Sequence, residues 1–473
     1  MTGHSRSDSM ALCVFNTLTK RKEEFRPIKA GQVTMYVCGV TVYDDIHMGH
    51  ARNMIVFDMI DRYLRYRGYK VIHATNFTDV DDKIINRAHE LGVPPLQLSS
   101  MYIERYFQEA DALGVRRADR YPKASEYIPQ IIKLVQHIEA AGFAYGSADG
   151  SVYFSMDQVK DYGKLSGMKM EELIAGARVE VDEEKRNPMD FALWKGAKPG
   201  EISWPSPWGD GRPGWHIECS AMCMDMGETI DIHGGGNDLI FPHHENEILQ
   251  SESVTGKPLA NYWLHNGMLQ VQETKMSKSL KNFFTVRQVL ESRTKEEVRF
   301  YLLNTHYRGP LSYSDTAMEE AASSLKRLHN TYAELRSAQT VATGGDDALE
   351  LVEKARNDFI AQMDDDFNSR AAIAVIFDLA RETNRLLTEG GLSKQGAKRI
   401  QGFLEEVDQV LGIMPSATSG PDAMDGVMQV LIEIRKELRK RKMYDLADSI
   451  RDKLAEKGIK LEDTAEGAKW KKL

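Results

Sequence analysis

The sequence has little cysteine, no long apolar run and no apolar segment at its start. Four cysteines among 473 residues are too few for a disulfide framework, so we expect thiols that are free or bound to metal, as in a cytoplasmic protein. No run approaches the roughly 18 apolar residues of a membrane span. Residues 1–10 lack the apolar core of a secretory signal and are interpreted as a disordered extension.

The chain also lacks an excess of positive charge. Its formal net charge of −9 argues against nucleic-acid binding over the whole surface but permits a local basic patch. Residues 425–473 carry 13 Lys and Arg against 10 Asp and Glu, with the densest basic run at 435–442. This run indicates either a solvated helix face or a contact to a phosphate backbone.

Strand and helix signals alternate in the first part of the chain. A strand at 34–38, a helix at 51–66 and a strand at 69–76 follow one another. This βαβ order predicts a parallel sheet. In open α/β sheets the carboxyl edge of the strands is where ligands bind.

The pattern changes twice after residue 120. A helix at 128–141, a strand at 151–156 and a polar stretch predict an insertion, after which parallel-sheet signals return with a strand at 230–233 and a helix at 245–253. From about residue 295 the pattern is nearly all helical. Glycine and proline breaks stand at 343–345 and 415–421, and the second predicts a linker.

Two short motifs indicate chemistry on phosphates. His47-Met48-Gly49-His50 stands between a strand and a helix signal, where free backbone N–H groups favour a phosphate. Lys275-Met276-Ser277-Lys278-Ser279 places two ammonium groups on a polar segment that can close over a nucleotide, with a solvated loop as the alternative. In this order they resemble the HIGH and KMSKS motifs of class I aminoacyl-tRNA synthetases.

Three separated segments carry potential metal ligands. Cys38 ends a strand signal, Cys219 stands far along the chain, and His243 and Glu247 share one helical face if a helix starts near Pro242. Zinc accepts this mixture of sulfur, nitrogen and oxygen ligands.

An ordinary core role is the alternative for these cysteines. They form no closely spaced pair, and free cysteine is among the most buried residue types. Cys223 competes as a ligand one helical turn past Cys219, but we interpret it as a core residue.

Longer segments resemble one family, the cysteinyl-tRNA synthetases. They are residues 35–44, 186–195, 211–222, 231–247 and 363–368, and the similarity runs from about residue 10 to the C-terminus. The resemblance implies an α/β fold with a Rossmann-like parallel sheet and an insertion, followed by all-α C-terminal domains. One departure is Met48, where the family usually has isoleucine; a flexible apolar residue should still pack there.

The reaction that the resemblance implies has two steps. L-Cysteine is activated with ATP to cysteinyl-adenylate and pyrophosphate, and cysteine is then transferred to the 3′-terminal adenosine of tRNA(Cys). Zinc would favour cysteine over serine because it prefers a thiolate to a hydroxyl. The sequence shows no long extra insertion that could serve as an editing domain.

The resemblance also implies roles for individual residues. One zinc ion would be held by Cys38, Cys219, His243 and Glu247. ATP would be contacted by His47, Gly49, His50, Gly235, Asp238 and Lys278, and catalysis would use His47, His50, Lys275 and Lys278. The cysteine pocket would include Gly39, Thr78 and Trp215. Mg²⁺ is expected with ATP. A plain tight turn is the alternative for the glycine run, and a core position is the alternative for Trp215.

The resemblance divides the chain into domains. They are the extension 1–10, the first half of the Rossmann catalytic domain 11–120, the insertion or connective peptide 121–204, the second half with the KMSKS loop 205–290, the stem-contact segment 291–345, the helical bundle 346–412, the linker 413–424 and the anticodon-binding domain 425–473. In the last domain, the basic run and Trp470 would contact tRNA. The expected partners are tRNA(Cys), ATP and L-cysteine, with no membrane, and the chain is expected to be a monomer.

Two other functions remain open from the sequence. A cysteine ligase that joins cysteine to a sugar amine would share the catalytic half but would lack the anticodon-binding domain. A non-catalytic RNA-binding paralogue would have lost motif lysines and zinc ligands, and this sequence retains them.

Overall fold

The structure is a computed structural model that describes residues 11–159, 161–168, 184–271, 274–275, 284–337, 347–415, 421–441, 443–464 and 467–472. The chain forms two compact units, Met1–Ile413 and Met414–Leu473. Among the described residues, no helix combines the length and the apolar composition that crossing a bilayer requires.

The secondary-structure elements are numbered along the chain. The strands are β1 Cys13–Asn16, β2 Arg21–Glu24, β3 Gln32–Thr41, β4 Lys70–Thr78, β5 Ala144–Gly146, β6 Val152–Phe154, β7 Phe191–Gly196, β8 Gly211–Pro213, β9 Ile230–Gly236, β10 Ala260–Asn266, β11 Leu269–Val271, β12 Thr274–Lys275, β13 Leu311–Tyr313, β14 Ile459–Thr464 and β15 Gly467–Lys472. The α-helices are α1 Met48–Tyr66, α2 Asp82–Leu91, α3 Pro95–Ala112, α4 Ile128–Ala140, α5 Trp215–Met224, α6 Glu245–Thr255, α7 Val286–Leu290, α8 Lys295–Leu303, α9 Asp315–Ser337, α10 Asp347–Asp364, α11 Ser369–Thr388, α12 Lys394–Leu411, α13 Pro421–Lys440 and α14 Tyr444–Glu456.

A parallel sheet forms the centre of the larger unit and confirms the predicted βαβ unit. Its strand order is β10-β9-β3-β4 and every pairing is parallel, so the four carboxyl ends meet at one edge. Strand β9 extends beyond the predicted 230–233 because the glycines 234–236 still pair with β10. At Gly39 the β3–β4 register shifts, and a Cβ there would lie 1.9 Å from the Asn76 carbonyl oxygen.

The insertion forms a second, antiparallel sheet. Strands β5, β6, β7 and β8 pair in sequence order, and helix α4 contributes Leu134 and Ile138 to a core that includes Phe154 and Trp194. The last strand, Gly211–Pro213, lies beyond residue 204, where the sequence analysis places the end of the insertion.

Buried polar contacts connect α1 to the helices that follow the sheet. The Arg299 guanidinium lies 2.7 Å from the Asp58 carboxylate, with both side chains almost fully buried. The Tyr63 hydroxyl donates to Asp364 at 2.7 Å. Removing one member of such a buried pair leaves an uncompensated charge and costs about 3–5 kcal/mol. Helix α1, which packs on the parallel sheet, and this part of the helical region are therefore coupled.

Arg52 on α1 holds the segment that leads into the predicted KMSKS loop. This fully buried side chain donates through Nη1 to the Met268 carbonyl at 2.7 Å and through Nη2 to the Gly309 carbonyl. The Gly267 N–H donates to the Tyr307 carbonyl at 2.8 Å. The start of α1 and residues 267–269 are thus fixed relative to one another.

The smaller unit differs from the nearly all-helical pattern predicted beyond residue 295. Helices α13 and α14 are followed by an antiparallel hairpin of β14 and β15, in which Leu461 pairs with Trp470. The hairpin was missed because its strands are short and rich in charge, and because Gly458, at φ +74°, ends the preceding helical segment within a lysine-rich stretch. The predicted break at 343–345 and the centre of the predicted linker, 416–420, lie outside the described residues.

Candidate functional site

A cavity of about 570 Å³ opens at the carboxyl edge of the parallel sheet. This volume is in the range of small-molecule sites. Ten of the residues predicted to be functional line it: Cys38, Gly39, His47, Gly49, His50, Thr78, Trp215, Cys219, Asp238 and His243. Residues from five separated segments of the sequence therefore meet where an open α/β sheet binds its ligands.

Four potential metal ligands meet at one end of the cavity. Cys38, Cys219, His243 and Glu247 are all at most 4% exposed. The Cys38 Sγ lies 3.6 Å from the His243 Nε2 and 3.5 Å from the Glu247 Oε1, and the last two atoms are 3.0 Å apart. Zinc bonds of about 2.3 Å to sulfur and 2.0–2.1 Å to nitrogen at a tetrahedral angle would place the sulfur and the nitrogen about 3.6 Å apart, as the Cys38 Sγ and the His243 Nε2 are. The donor set fits a zinc ion.

The two thiols of this cluster differ in acidity. A hydrogen bond from Cys38 lowers the pKa of the Cys219 thiol to about 6, whereas burial raises the pKa of Cys38 well above its ordinary value. Burial also raises the pKa of Cys223. Cys219 is therefore the cysteine that most readily supplies a thiolate, the form that binds metal.

Two further histidines contact two of the potential metal ligands. The Nδ1 atoms of His216 and His243 lie 2.9 Å apart, so the Nε2 of His243 is the nitrogen that faces Cys38 and Glu247. The His233 Nε2 lies 2.9 Å from the second oxygen of Glu247. The Trp215 ring stacks on the His243 ring at 4.6 Å. Such outer contacts orient metal ligands.

His244 competes with Cys219 for the fourth ligand position. Its side chain belongs, with Cys38, His243 and Glu247, to a group whose ligand atoms all lie within 4.8 Å of one another. However, its Nδ1 bonds to the His265 Nε2 at 2.8 Å and the residue does not line the cavity, whereas Cys219 does. If a metal contacts a small substrate in this cavity, its fourth ligand should also lie at the cavity, which favours Cys219 over His244.

The start of α1 forms the opposite end of the cavity. The His47 Nδ1 accepts the backbone N–H groups of Gly49 at 3.1 Å and His50 at 3.3 Å, and the His50 Nδ1 accepts the His47 N–H at 3.3 Å. The two rings stack at 3.7 Å. The helix therefore begins at Met48, three residues earlier than predicted, because the motif histidines cap it themselves.

The glycine run at the end of β9 divides between two tasks. A Cβ at Gly235 would lie 2.8 Å from the His244 ring, and Gly235 itself does not line the cavity, while Gly236 and Asp238 do. The missing side chain of Gly235 thus makes room for the His244 ring and not for a ligand in the cavity.

The two predicted KMSKS lysines are located only in part. Lys275 lies in β12, which pairs with β11, and β11 begins at Leu269, a cavity-lining residue. Lys278 lies outside the described residues.

The residues predicted to surround the substrate side chain line the same cavity as three of the potential metal ligands. Thr78 ends β4 and is buried, whereas Trp215 begins α5 and is 39% exposed. The Gly39 N–H donates to the Asn76 Oδ1 at 2.9 Å.

The basic run of the smaller unit is mostly solvent-exposed. Lys436, Arg439, Lys440 and Arg441 are exposed, while Arg435 is buried. Glu437 pairs with Arg441 at 3.0 Å. Both interpretations of this run, a solvated face and a phosphate contact, agree with that exposure.

The supporting histidines are the residues that the sequence analysis missed. His233 stands at the end of a buried strand directly before the glycine run, and His216 stands three residues before Cys219. A histidine at the ligand-binding edge of a predicted parallel strand was an available signal for His233. No sequence spacing pairs His216 with His243.

Comparisons with known proteins agree with this geometry. The family model for the tRNA synthetases class I (C) catalytic domain matches residues 24–323, and the model for the DALR domain matches residues 358–415. A cysteine–tRNA ligase of Carboxydothermus hydrogenoformans is 52% identical over 97% of this chain and 100% of its own length. A cysteine–tRNA ligase of Thermococcus onnurineus is 49% identical over 98% and 100%.

Solved structures share the fold at low sequence identity. Mycobacterium tuberculosis methionyl-tRNA synthetase in complex with methionyl-adenylate superposes with a TM-score of 0.59 at 15% identity, covering 80% of this chain and 92% of that one. An Agrobacterium radiobacter K84 LeuRS–tRNA–LeuAMS complex gives 0.58 at 13% identity, with 82% and 85% covered.

Proposed function

This chain belongs to the cysteine–tRNA ligases of the class I tRNA synthetase family, and we propose that a zinc ion held by Cys38, Cys219, His243 and Glu247 selects its amino-acid substrate. Members of this family activate cysteine with ATP and transfer it to tRNA(Cys). A hydrophobic pocket distinguishes near-isosteres such as cysteine and serine only weakly. When bound, zinc supplies a bond to the substrate thiolate that a serine hydroxyl does not match.

The position of the donor set supports this proposal. Three of the four ligands line the cavity, so a substrate sulfur can approach from the open side. Glu247 lies behind them and is fully buried, with His233 on its second oxygen. Gly39, Thr78 and Trp215 would enclose the cysteine around this end, and Trp215 also keeps the His243 ring oriented.

The opposite end of the cavity would hold ATP. His47 and His50 would contact its phosphates, Gly49 lets the backbone approach, and Lys275 and Lys278 would neutralise the leaving pyrophosphate. Asp238 lines the cavity, whereas Gly235 makes room for the His244 ring. Mg²⁺ would arrive with ATP.

Recognition of tRNA would use the helical parts of the chain. The stem-contact segment 291–345, the bundle 346–412 and the anticodon-binding domain 425–473 stay predictions, as do a monomeric state and a cytoplasmic location. Removing residues 425–473 should leave cysteine activation intact while tRNA charging falls steeply.

Cysteine-dependent ATP–pyrophosphate exchange tests the proposal, measured with and without tRNA(Cys) transcript. We expect exchange with cysteine but not with serine, loss of exchange after dialysis against a chelator, and recovery with Zn²⁺. Undiminished exchange with cysteine and continued rejection of serine in a metal-depleted enzyme would contradict selection by zinc.

A further inference from the structure

A second cavity lies among the helices that follow the catalytic sheet. It has a volume of about 460 Å³ and is bordered by helices α8, α9 and α11. Its floor is apolar, with Phe300 and Ile373 at most 2% exposed, and the Phe300 and Phe377 rings lie 5.9 Å apart. No residue of the metal cluster or of the HIGH motif borders it.

The rim of this cavity carries two arginines without an acidic partner. Arg327 and Arg370 are both exposed, and among the described residues neither has a carboxylate oxygen within 4.0 Å. The Arg327 Nη2 donates to the Ser324 Oγ at 3.3 Å. No acidic side chain in the part of the chain that the structure describes therefore neutralises these two guanidinium groups at the cavity mouth.

The other two arginines of α11, the helix that carries Arg370, are paired with acidic side chains. On α11, Arg381 lies 3.0 Å from Asp378, and Arg385 pairs with Glu382 and Glu389. On α11 the arginine without a counter-charge is thus the one that borders the cavity. A guanidinium group without a carboxylate partner can donate bidentate hydrogen bonds to a phosphate or carboxylate ligand.

Amide groups complete the polar rim. Asn304 and Asn368 both border the cavity. The Asn368 oxygen accepts the Ala371 N–H at 3.1 Å, which leaves its NH₂ group as a donor. Guanidinium and amide donors around an apolar floor suit a ligand with anionic oxygens and an uncharged sugar.

We propose that this cavity binds a phosphodiester segment of tRNA, with Arg327 and Arg370 on its phosphates. The proposal rests on the tRNA-charging function of the family. The arginines stand at an exposed mouth instead of inside an enclosed pocket, which suits an extended strand that passes over the cavity. Helix α11 lies within the segment that matches the DALR domain.

The test is the double variant Arg327→Gln/Arg370→Gln, assayed for tRNA(Cys) binding between 50 and 200 mM salt. Each lost phosphate contact should reduce the slope of log K against log salt by about 0.9 at a duplex or 0.7 at a single strand. We expect affinity to fall on the order of tenfold near 0.1 M salt. The KM for tRNA should rise while cysteine-dependent pyrophosphate exchange stays unchanged, which also shows that the variant is folded.

The matched control is Arg381→Gln/Arg385→Gln, which removes the same number of positive charges from α11, the helix that carries Arg370. It should leave the salt slope unchanged, and the lysine double variant at 327 and 370 should retain most affinity. An equal loss in both glutamine variants, or no loss in the first, would overturn the proposal. Titration with inorganic phosphate addresses a small-anion pocket: phosphate binding that the first variant abolishes while its tRNA affinity stays unchanged would overturn the RNA assignment. A wild-type enzyme that does not charge tRNA would refute the proposed function instead.

Discussion

The part of the main cavity that we propose for zinc, the metal end, and the part that we propose for ATP, the nucleotide end, hold their side chains in different ways. At the metal end, the sulfur, imidazole and carboxylate groups are buried, and His243 and Glu247 are each fixed by a further histidine. At the nucleotide end, His47 and His50 are half-buried and are held by the first turn of a helix. Selecting one sulfur atom requires a prearranged site, whereas ATP must enter and pyrophosphate must leave.

This difference separates the expected effects of substitutions. Changes at the metal end should alter zinc content and the discrimination of cysteine. Changes at the nucleotide end should alter the rate of adenylate formation while zinc content and cysteine affinity stay near wild type.

The largest effect is expected from Cys219→Ser. Losing a thiolate ligand should remove zinc and lower cysteine activation on the order of a thousandfold. Elemental analysis and pyrophosphate exchange measure the two results. Cys223→Ser is the control, because Cys223 is equally buried but does not line the cavity. Undiminished zinc in the Cys219 variant would assign the fourth position to His244.

Lys278→Ala should have the next largest effect, at the nucleotide end. The lysine would act on charge that develops on pyrophosphate, so its loss should cost on the order of 3 kcal/mol, a factor of ~100 or more in rate. Zinc content and the KM for cysteine should not change. Lys281→Ala, three residues further on, is the control. A normal exchange rate would show that this loop is not the catalytic one.

His233→Gln should have an intermediate effect confined to the metal end. Glutamine can keep a hydrogen bond to Glu247 but not the geometry of the imidazole, so zinc affinity should fall roughly tenfold or more. Competition with a chelator measures the change, and saturating zinc should restore exchange. If zinc cannot restore it, His233 acts on more than the metal.

The smallest effect is expected from Glu109→Gln, behind the nucleotide end. Burial, with Asp45, raises the pKa of this carboxyl to about 7, against the opposing charges of Arg287 and Arg105. A raised carboxyl pKa lowers the free energy of unfolding as pH rises from the unfolded value of about 4.5 to about 7. The glutamine variant has no carboxyl group at this position, so its free energy of unfolding lacks this decrease.

Thermal unfolding at pH 5 and pH 8 measures the Glu109 effect. The difference in Tm between the glutamine variant and the wild type should increase by on the order of 2 °C from pH 5 to pH 8. Glu104→Gln, an exposed position on the same helix, should show no such gain. A gain of the same size in both variants would indicate a general charge effect.

The sequence predicted the elements that local pattern controls. The βαβ unit and the helix at 128–141 follow from hydrophobic period and glycine positions, and the shared side of His243 and Glu247 follows from their spacing. That pair lies 3.0 Å apart even though α6 begins only at Glu245. Local periodicity sets these features, so a single sequence is sufficient to find them.

Features made by distant segments were not predictable in the same way. The His216–His243 contact joins residues 27 positions apart across two elements, and no periodicity relates them. The placement of His244 behind Gly235 depends on how β9 and α6 pack. The hairpin of β14 and β15 was hidden because its alternation is weak among charged residues, and tertiary context decided it.

The capping of α1 explains which letters of the HIGH motif can change. His47 and His50 each use Nδ1 as a backbone acceptor, so in the neutral rings the proton resides on Nε2, the remaining nitrogen. A Cβ at Gly49 would lie 2.8 Å from the His47 ring. Only the second position of the motif tolerates a change, because Met48 is fully buried and the position requires only an apolar side chain. Methionine can therefore replace isoleucine at this position, whereas hydrogen bonds and the available space determine the other three residues of the motif.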